Sequence, residues 1–360
     1  MVKRVRFIVV FLILNMLLSF ALEPARGASA IMWNSYYEQE EIDTIFIGSS
    51  LCQGTFDPYI FDEKLGVKSF NMGTPLQAVP QTVRALEVAI EDHNIKTVIF
   101  GMGFSTLKYE GLLEAELTFE KSRVREMGGV EGFVESMAYL WSEEIRASEK
   151  SIHYLFPWLY NREEISGDGM LANMKLKLRQ MQEKYFGIPI EDNQIFHKGY
   201  QNHDGMVFNY DNMWETNTYR YYDEELNAEM MASLEEIMTI CRQHEIELIV
   251  VNTPHPYFDV VSCYEFYEQN QNEVKKLCDR YGVDYYDFSL AKPEIYAAKA
   301  EYYSDYEHLN LEGSQVFCEQ LCDFLIRREN GENMEEYFYS MEEFLSIYEE
   351  WLEDWKAYYW

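Results

Sequence analysis

Residues 43–52 read DTIFIGSSLC. The apolar run from Ile45 to Ile47 is too short for a helix and stops at Gly48, which indicates a buried strand of an α/β sheet. Two serines follow in the turn after this strand. Because ligands of such sheets bind beyond the carboxyl ends of the strands, the turn can present a serine to a substrate.

Strand-like and helix-like segments alternate on the carboxyl side of this stretch. Asp57 and Pro58 are typical of the N-cap and first position of a helix. Further strands are predicted over residues 68–71, 96–100, 247–252 and 283–288, and helices over 80–92, 223–244, 263–281 and 311–327. This alternation predicts an α/β fold with a doubly wound, mostly parallel five-stranded sheet.

Three regions fall outside the alternating pattern. Residues 1–30 read as a targeting segment, and residues 106–222 as a large insertion at the carboxyl edge of the third strand. The insertion looks helical to about residue 186 and irregular over 194–217. Residues 329–360 form an acidic, aromatic tail with one apolar helical stripe, from Phe338 to Tyr359. The tail packs on its own domain or docks a partner. The α/β domain then spans residues 31–328.

The first 30 residues carry export signals. Lys3, Arg4 and Arg6 precede an apolar run over residues 7–22, and the small residues at 28–30 match a cleavage site. The segment is therefore expected to be an uncleaved membrane anchor or a cleaved signal peptide, and a buried core helix is the alternative. The first two interpretations place the body outside the cytoplasm, anchored to the membrane or secreted.

The charge of the chain excludes one class of partner. The formal net charge is −32 over 360 residues, and such a surface repels the phosphate backbone of nucleic acids. Six cysteines without a C-x-x-C pair make a zinc site improbable. Cys318 and Cys322, four apart on a predicted helix, read as small core residues. No cofactor or metal is expected, since no glycine-rich nucleotide motif follows a strand.

A serine hydroxyl near neutral pH needs a base to become a nucleophile, and the base needs a third group to orient it. His308 is the candidate base. Asp305, three residues earlier, can accept the Nδ1 proton and leave Nε2 facing the serine. The amides of Ser50 and Gly73, at the ends of adjacent strands, are the candidate donors to the substrate oxyanion.

Three motifs together resemble the SGNH (GDSL) hydrolase family. They are the GSSL stretch at residues 48–51, NMG at residues 71–73, and D-x-x-H-L-N-x-x-G at residues 305–313. The resemblance covers about residues 40–105 and 225–328. It aligns the nucleophile of the family with Ser50, with Ser49 as the alternative, its second-block glycine with Gly73, and its last-block pair with Asp305 and His308. It implies a flavodoxin-like SGNH fold.

The third motif of the family departs from its pattern. It normally carries an asparagine whose side chain donates to the oxyanion, but residues 101–104 read GMGF. The loss of one such donor costs about 10²–10³ in rate. Asn71, Gly103, His255 and Asn310 are possible substrate contacts near the site.

The implied reaction is acyl transfer through an acyl-serine. The resemblance implies an exported esterase or acyltransferase acting on O-acyl groups, such as acetyl, of cell-envelope glycans. It also implies a membrane-bound acyltransferase as a possible partner. The competing expectation is a catalytically degenerate domain that binds glycan or scaffolds a membrane complex, and the missing asparagine favours it.

Overall fold

A computed structural model of the chain describes residues 2–22, 27–142, 150–159, 168–186, 196–203, 225–262, 264–305 and 307–347. The chain divides into two compact units. One unit combines Met1–Tyr37 with Leu113–Asn193. The other combines Glu38–Leu112 with Gln194–Trp360, and it contains every strand given below.

The elements are numbered along the chain. The strands are β1 (Thr44–Gly48), β2 (Ser69–Asn71), β3 (Thr97–Met102), β4 (Phe196–His197), β5 (Tyr200–Gln201), β6 (Glu247–Asn252) and β7 (Asp284–Asp287). The helices are α1 (Val2–Leu22), α2 (Ala28–Tyr37), α3 (Ser50–Thr55), α4 (Pro58–Leu65), α5 (Val79–Asp92), α6 (Leu113–Met127), α7 (Gly129–Trp141), α8 (Lys150–Leu155), α9 (Asp168–Phe186), α10 (Ala228–Gln243), α11 (Tyr257–Ser262), α12 (Tyr264–Tyr281) and α13 (Leu311–Glu329).

Five strands form a parallel sheet in the order β2-β1-β3-β6-β7. This is the flavodoxin-like order, so the predicted α/β fold with a doubly wound sheet is confirmed. The strand order reverses between β1 and β3, where Ile45 pairs with Val98. Ligands of such sheets bind at this reversal, beyond the carboxyl ends of the strands. The turn after β1 lies at that position.

The apolar core of this unit holds β1 in place and so positions the GSSL turn that follows it. Every residue of β1 is buried. The ring of Phe46 stacks on Phe56 at 5.2 Å and contacts Phe61 at 4.5 Å. Burying a side chain of this size contributes about 1.5–3 kcal/mol. The strand ends at Gly48, whose φ of +149° is a conformation that residues with a Cβ rarely adopt.

The predicted helix starts are close to the observed ones, with one correction. The Asp57 carboxylate accepts from Tyr59 N at 3.0 Å, so Asp57 caps α4 as expected. The helix expected from residue 223 instead begins at Ala228, because the side chain of Asn227 accepts from Glu229 N and caps it. Residues 223 and 224 lie outside the described residues.

The segment that leads from the insertion back to the sheet also differs from the prediction. Residues 194–217 were predicted to be irregular, but β4 and β5 pair there as a short antiparallel hairpin. The hairpin turn docks on the edge strand of the main sheet, where Asn71 N donates to Lys198 O at 2.9 Å. The His197 imidazole lies 2.7 Å from the Asp57 carboxylate. The rest of that stretch, residues 194–195 and 204–217, lies outside the described residues.

The tail packs on the α/β unit up to residue 347. Met341 and Phe344 are buried in the same apolar cluster as Phe288 and Phe317. Phe338 precedes the helix over 341–347 rather than lying on it, which corrects the predicted helical stripe. The reason is a contact with a residue distant in sequence, since Phe338 forms an antiparallel β-bridge with Ala291. Residues 348–360, with the rest of the stripe, lie outside the described residues.

The other unit is helical where it is described. Trp33 of α2 is fully buried, and its ring contacts Phe119 of α6 at 5.2 Å. The buried guanidinium of Arg123 is paired with Glu120 at 2.6 Å and Glu135 at 2.9 Å. Within the residues that the structure describes, no helix combines the length and hydropathy of a membrane span.

All five cysteines within the described ranges are buried and free of disulfides: Cys52, Cys241, Cys278, Cys318 and Cys322. Cys318 and Cys322 belong to the apolar core, as their spacing predicted. Cys318 also connects α13 to the last residue of α3, since its thiol donates to Thr55 O at 2.9 Å. Cys263 lies outside the described residues.

Candidate active site

The two serines in the turn after β1 have different roles. Ser49 is the N-cap of α3, and its hydroxyl accepts from Leu51 N at 3.4 Å. Ser50 is the first residue of the helix. Its Oγ lies 2.9 Å from Nε2 of His308. The geometry therefore distinguishes the two serines, because only Ser50 is hydrogen-bonded to the imidazole.

His308 lies between Ser50 and Asp305. Its Nδ1 is 2.9 Å from Oδ2 and 3.0 Å from Oδ1 of Asp305. Asp305 Oδ1 also accepts from the backbone N–H groups of Glu307 and His308, at 2.9 and 2.7 Å. These contacts hold the carboxylate on the imidazole. With Nδ1–H donating to Asp305, Nε2 is the acceptor that faces the serine hydroxyl.

The charges of this pair reinforce one another. Burial lowers the pKa of His308, but the hydrogen bond to Asp305 and the charges of Asp305 and Glu307 outweigh it, so the pKa lies above 6.5. Burial raises the pKa of Asp305, but the contact with His308 and the two backbone donors outweigh it and hold that pKa below 3.8. Asp305 is thus a carboxylate at neutral pH.

The loop that carries His308 is anchored on both sides. Ser304 N donates to His308 O at 2.9 Å, and Asn310 N donates to Tyr302 O at 2.9 Å. The Asn310 side chain caps α13, accepting from Gly313 N at 2.9 Å and donating to Glu301 O at 2.6 Å. These bonds give Asn310 a structural task. Its predicted substrate contact stays a prediction. Tyr306 lies outside the described residues.

Asn71 and Gly73 lie beneath the turn. The buried amide of Asn71 donates to Cys52 O at 2.9 Å and to Phe56 O at 2.8 Å, and its Oδ1 accepts from Gly73 N at 2.9 Å. Asn71 therefore holds α3 in place, and its amide hydrogens already donate to the backbone of this segment. The Gly73 N–H already donates to Asn71 Oδ1. It could serve as an oxyanion donor only by sharing its hydrogen between the two acceptors or by breaking this hydrogen bond.

Gly73 has no room for a side chain. A Cβ there would lie 2.7 Å from Gln53 N and 2.8 Å from Ser49 O. Its backbone can approach the serine turn only because the side chain is absent. The oxyanion roles of the Ser50 and Gly73 amides stay predictions.

Gly103 and His255 meet on the other side of the turn. Gly103 follows β3 by one residue, and its N–H donates to Thr106 Oγ1 at 2.9 Å. The imidazole of His255 is fully buried and stacks on Phe104 at 4.1 Å. The predicted substrate contacts of both residues stay predictions.

His203 is a neighbour of His308 that the sequence did not indicate. Its ring lies 4.5 Å from the ring of His308, at an interplanar angle of 38°. It also packs on α3, where a Cβ at Gly54 would lie 2.7 Å from its Nε2. The hairpin of β4 and β5 brings His203 to this position. Two-residue strands have no readable periodicity, so the sequence contained no usable signal.

Removing His203 should slow any reaction at this site. The ring covers one face of His308, so His203→Ala frees the imidazole to tilt, and kcat should fall roughly tenfold. Gly54→Ala is the matched variant, since the added methyl displaces His203 without altering it. Steady-state kinetics on both variants check this. Wild-type kcat in both would show that the contact does not position His308.

No protein-family model matches the chain, and no curated protein matches it. Among solved structures, a Bacteroides fragilis protein provisionally described as an acylhydrolase is similar at 9% identity and a TM-score of 0.36, covering 81% of this chain and 92% of that one. A Streptococcus pneumonia protein provisionally described as a platelet activating factor is similar at 13% identity and a TM-score of 0.38, covering 88% and 98%. At these scores neither structure bears on the activity of this chain.

Proposed function

We propose that the chain is a serine esterase or acyltransferase that works through an acyl-serine at Ser50. One observation carries the proposal, namely the continuous line of contacts from Asp305 through His308 to Ser50 Oγ. This line joins residues more than 250 positions apart at the edge of the sheet where ligands of such folds bind. A nucleophile, a base and an orienting carboxylate in this order are the requirements for acyl transfer.

The first half-reaction forms the acyl-serine. Ser50 Oγ attacks the carbonyl carbon of the ester while its proton passes to Nε2 of His308. The carbonyl π electrons move to the oxygen, which becomes an oxyanion. When the tetrahedral intermediate collapses, the C–O bond to the leaving alcohol breaks, and His308 gives its proton to that alcohol. Asp305 stabilises the transient imidazolium.

The second half-reaction repeats these steps with a new acceptor. His308 removes a proton from the incoming hydroxyl, whose oxygen attacks the acyl carbon and forms a second tetrahedral intermediate. When this intermediate collapses, the bond between the acyl carbon and Ser50 Oγ breaks, and His308 gives its proton to Ser50 Oγ. Water as acceptor gives hydrolysis, and a sugar hydroxyl gives transfer. The Ser50 amide lies in the first turn of α3, where N–H groups have no partner within the helix, which supports its use as an oxyanion donor.

The substrate class in this proposal is an O-acyl group, of the acetyl type, on a cell-envelope glycan. The basic and apolar residues of the first 30 positions support an extracytoplasmic site, anchored or secreted. The motif resemblance supports the glycan substrate and a membrane-bound acyltransferase as partner. The chain would then receive or remove acyl groups outside the cytoplasm.

A second candidate function is a catalytically degenerate domain that binds glycan or scaffolds a membrane acyltransferase. The absence of an asparagine from residues 101–104 favours it. It predicts that the Ser50–His308 contact is retained without turnover.

Hydrolysis of p-nitrophenyl acetate separates the two functions. The wild-type protein should release p-nitrophenol faster than Ser50→Ala, because only the former has a nucleophile. Ser49→Ala is the matched control from the same turn, and it should keep most of the activity, since it removes only the cap of α3. Equal rates for the wild type and Ser50→Ala would end the hydrolase proposal.

The pH profile of kcat/KM should reflect the raised pKa of His308. The reaction needs the neutral imidazole, so activity is low below the pKa and rises as the pH passes through it. Because Asp305 and Glu307 raise this pKa, the acid limb should have its midpoint above pH 6.5. Glu307→Gln removes one of the charges and should move the midpoint to lower pH. An unchanged midpoint in Glu307→Gln, or a wild-type midpoint below 6.5, would contradict this electrostatic account.

A further inference from the structure

Most of the large apolar side chains that the described residues expose belong to one of the two units. The unit that combines Met1–Tyr37 with Leu113–Asn193, which we call the helical unit, holds about a third of the chain. It carries 21 of these 27 exposed side chains. Twelve of the 21 lie on α1, and the other nine lie on α7, α8 and α9. Exposed apolar surface concentrated in this way marks a site of interaction.

Helix α7 is fixed to its own unit by one face. Gly132 is buried, and a Cβ there would lie 2.3 Å from Val124 O. One turn further on, Ser136 Oγ lies 2.9 Å from the hydroxyl of Tyr154. The opposite face of α7 therefore points away from the contacts that hold the helix in place.

This outward face of α7 is apolar. It consists of four side chains that are 56–80% exposed, namely Val130, Phe133, Val134 and Trp141. Residues at these spacings lie on one side of a helix, and we call them the α7 stripe. Both acidic residues of α7, Glu131 and Glu135, fall outside the stripe. A helix packed on one side normally presents polar residues on the other, so the α7 stripe has the character of a second contact surface.

Helix α9 exposes apolar and basic side chains together. Lys175 and Arg179 are exposed. So are three leucines of the same helix, Leu171, Leu176 and Leu178. Residues 169–182 include three basic residues and no acidic one, in a chain of 62 acidic and 30 basic residues. This combination is typical of helices that lie in the headgroup region of a membrane, where leucines contact acyl chains and basic groups contact phosphates.

The net charge of −32 would keep the chain away from an anionic bilayer if it were evenly spread. It is concentrated in the α/β unit, which has 16 basic and 46 acidic residues, a net charge of −30. The helical unit has 14 basic and 16 acidic residues, a net charge of −2. The unit that exposes most of the apolar side chains is therefore also the one that an anionic lipid surface repels least.

We propose that the helical unit binds the surface of a phospholipid bilayer that contains anionic lipid. The α7 stripe inserts among the acyl chains at the bilayer surface, and Lys175 and Arg179 of α9 bind headgroup phosphates. Helices α7 and α9 thus add a membrane contact to the one expected of the first 30 residues. The inference goes beyond the acyl-transfer function and does not depend on it.

Quenching by labelled lipid tests the contact of the α7 stripe directly. A fluorophore on Phe133→Cys of the full chain is mixed with vesicles of phosphatidylcholine and phosphatidylglycerol that carry a nitroxide on the acyl chains. The matched control is Ile326→Cys, since Ile326 is an exposed apolar residue of the α/β unit. Quenching at residue 133 should be about threefold or more stronger than at residue 326. Labelling of the wild-type chain gives the background from its own cysteines.

Two results would overturn the proposal. Equal quenching at residues 133 and 326 would mean that the first 30 residues alone bring the protein to the bilayer, because both labelled chains retain α1. Weak quenching at residue 133, with cross-linking of two chains through Phe133→Cys, would show that a second copy covers the α7 stripe.

Neutralising the basic groups of α9 tests the electrostatic part of the proposal. Lys175→Gln combined with Arg179→Gln should raise the lipid concentration for half-maximal quenching at residue 133 about 30-fold, since each basic group near an anionic surface contributes about fivefold. The matched control is Lys276→Gln combined with Arg280→Gln, an exposed pair at the same spacing on α12 of the α/β unit.

All four of these basic side chains are exposed, so the thermal midpoints should stay close to that of the wild type. A loss of less than about threefold in the α9 variant, or an equal loss in the α12 variant, would overturn the proposal. None of these measurements uses catalysis, so their outcome is independent of the acyl-transfer function.

Discussion

Ser50→Ala and His308→Ala should each lower kcat/KM for p-nitrophenyl acetate by about 10⁴-fold or more, and by similar amounts. The reason is the 2.9 Å contact between Ser50 Oγ and His308 Nε2. Without the base the hydroxyl remains a poor nucleophile, and without the hydroxyl the base has no proton to take. The double variant should be no slower than either single variant, since the two groups act as a unit.

The control for this prediction is the fold of the variants. Neither side chain belongs to the apolar core, so the thermal midpoints should stay close to that of the wild type. If His308→Ala kept most of the activity while Ser50→Ala lost it, a different base would serve Ser50. If the losses multiplied in the double variant, the two residues would act independently.

Asp305→Asn should lower kcat by about 10³–10⁴-fold. The asparagine can keep the contacts of Oδ1 with the N–H groups of Glu307 and His308, so the turn should fold as before. It cannot stabilise the imidazolium, and its amide favours the tautomer of His308 that has its proton on Nε2. That tautomer cannot accept the proton of Ser50.

Glu307→Gln is the matched control for Asp305→Asn. It removes a carboxylate from the same turn but leaves the Asp305 contact with Nδ1 intact. Its kcat at high pH should stay within about threefold of the wild type. Equal losses in the two variants would mean that the net charge of the turn matters and that the orientation of His308 does not.

The sequence predicted the parts of the fold that have local signals. The run from Ile45 to Gly48 is a strand because every position in it is apolar or small. Asp57 and Pro58 begin a helix because one caps it and the other has the required φ. The proximity of Ser50 and His308 followed from the parallel order, which brings the carboxyl ends of the strands to one edge.

The remaining features depend on contacts between distant residues. The hairpin of β4 and β5 has two residues in each strand, and its docking on Asn71 and Asp57 has no local signature. Phe338 leaves the expected helical stripe because Ala291 offers it a backbone partner. Gly103 and His255 lie side by side although they follow two strands about 150 positions apart in the sequence. No spacing rule could reveal that they are neighbours.

Labelling with a fluorophosphonate tests the central claim most directly, because the reagent reacts with an activated serine and needs no knowledge of the natural substrate. Peptide mapping by mass spectrometry should find the adduct on Ser50, and labelling should be lost in His308→Ala. An adduct on Ser49 or another serine, or undiminished labelling of Ser50 in His308→Ala, would contradict the account.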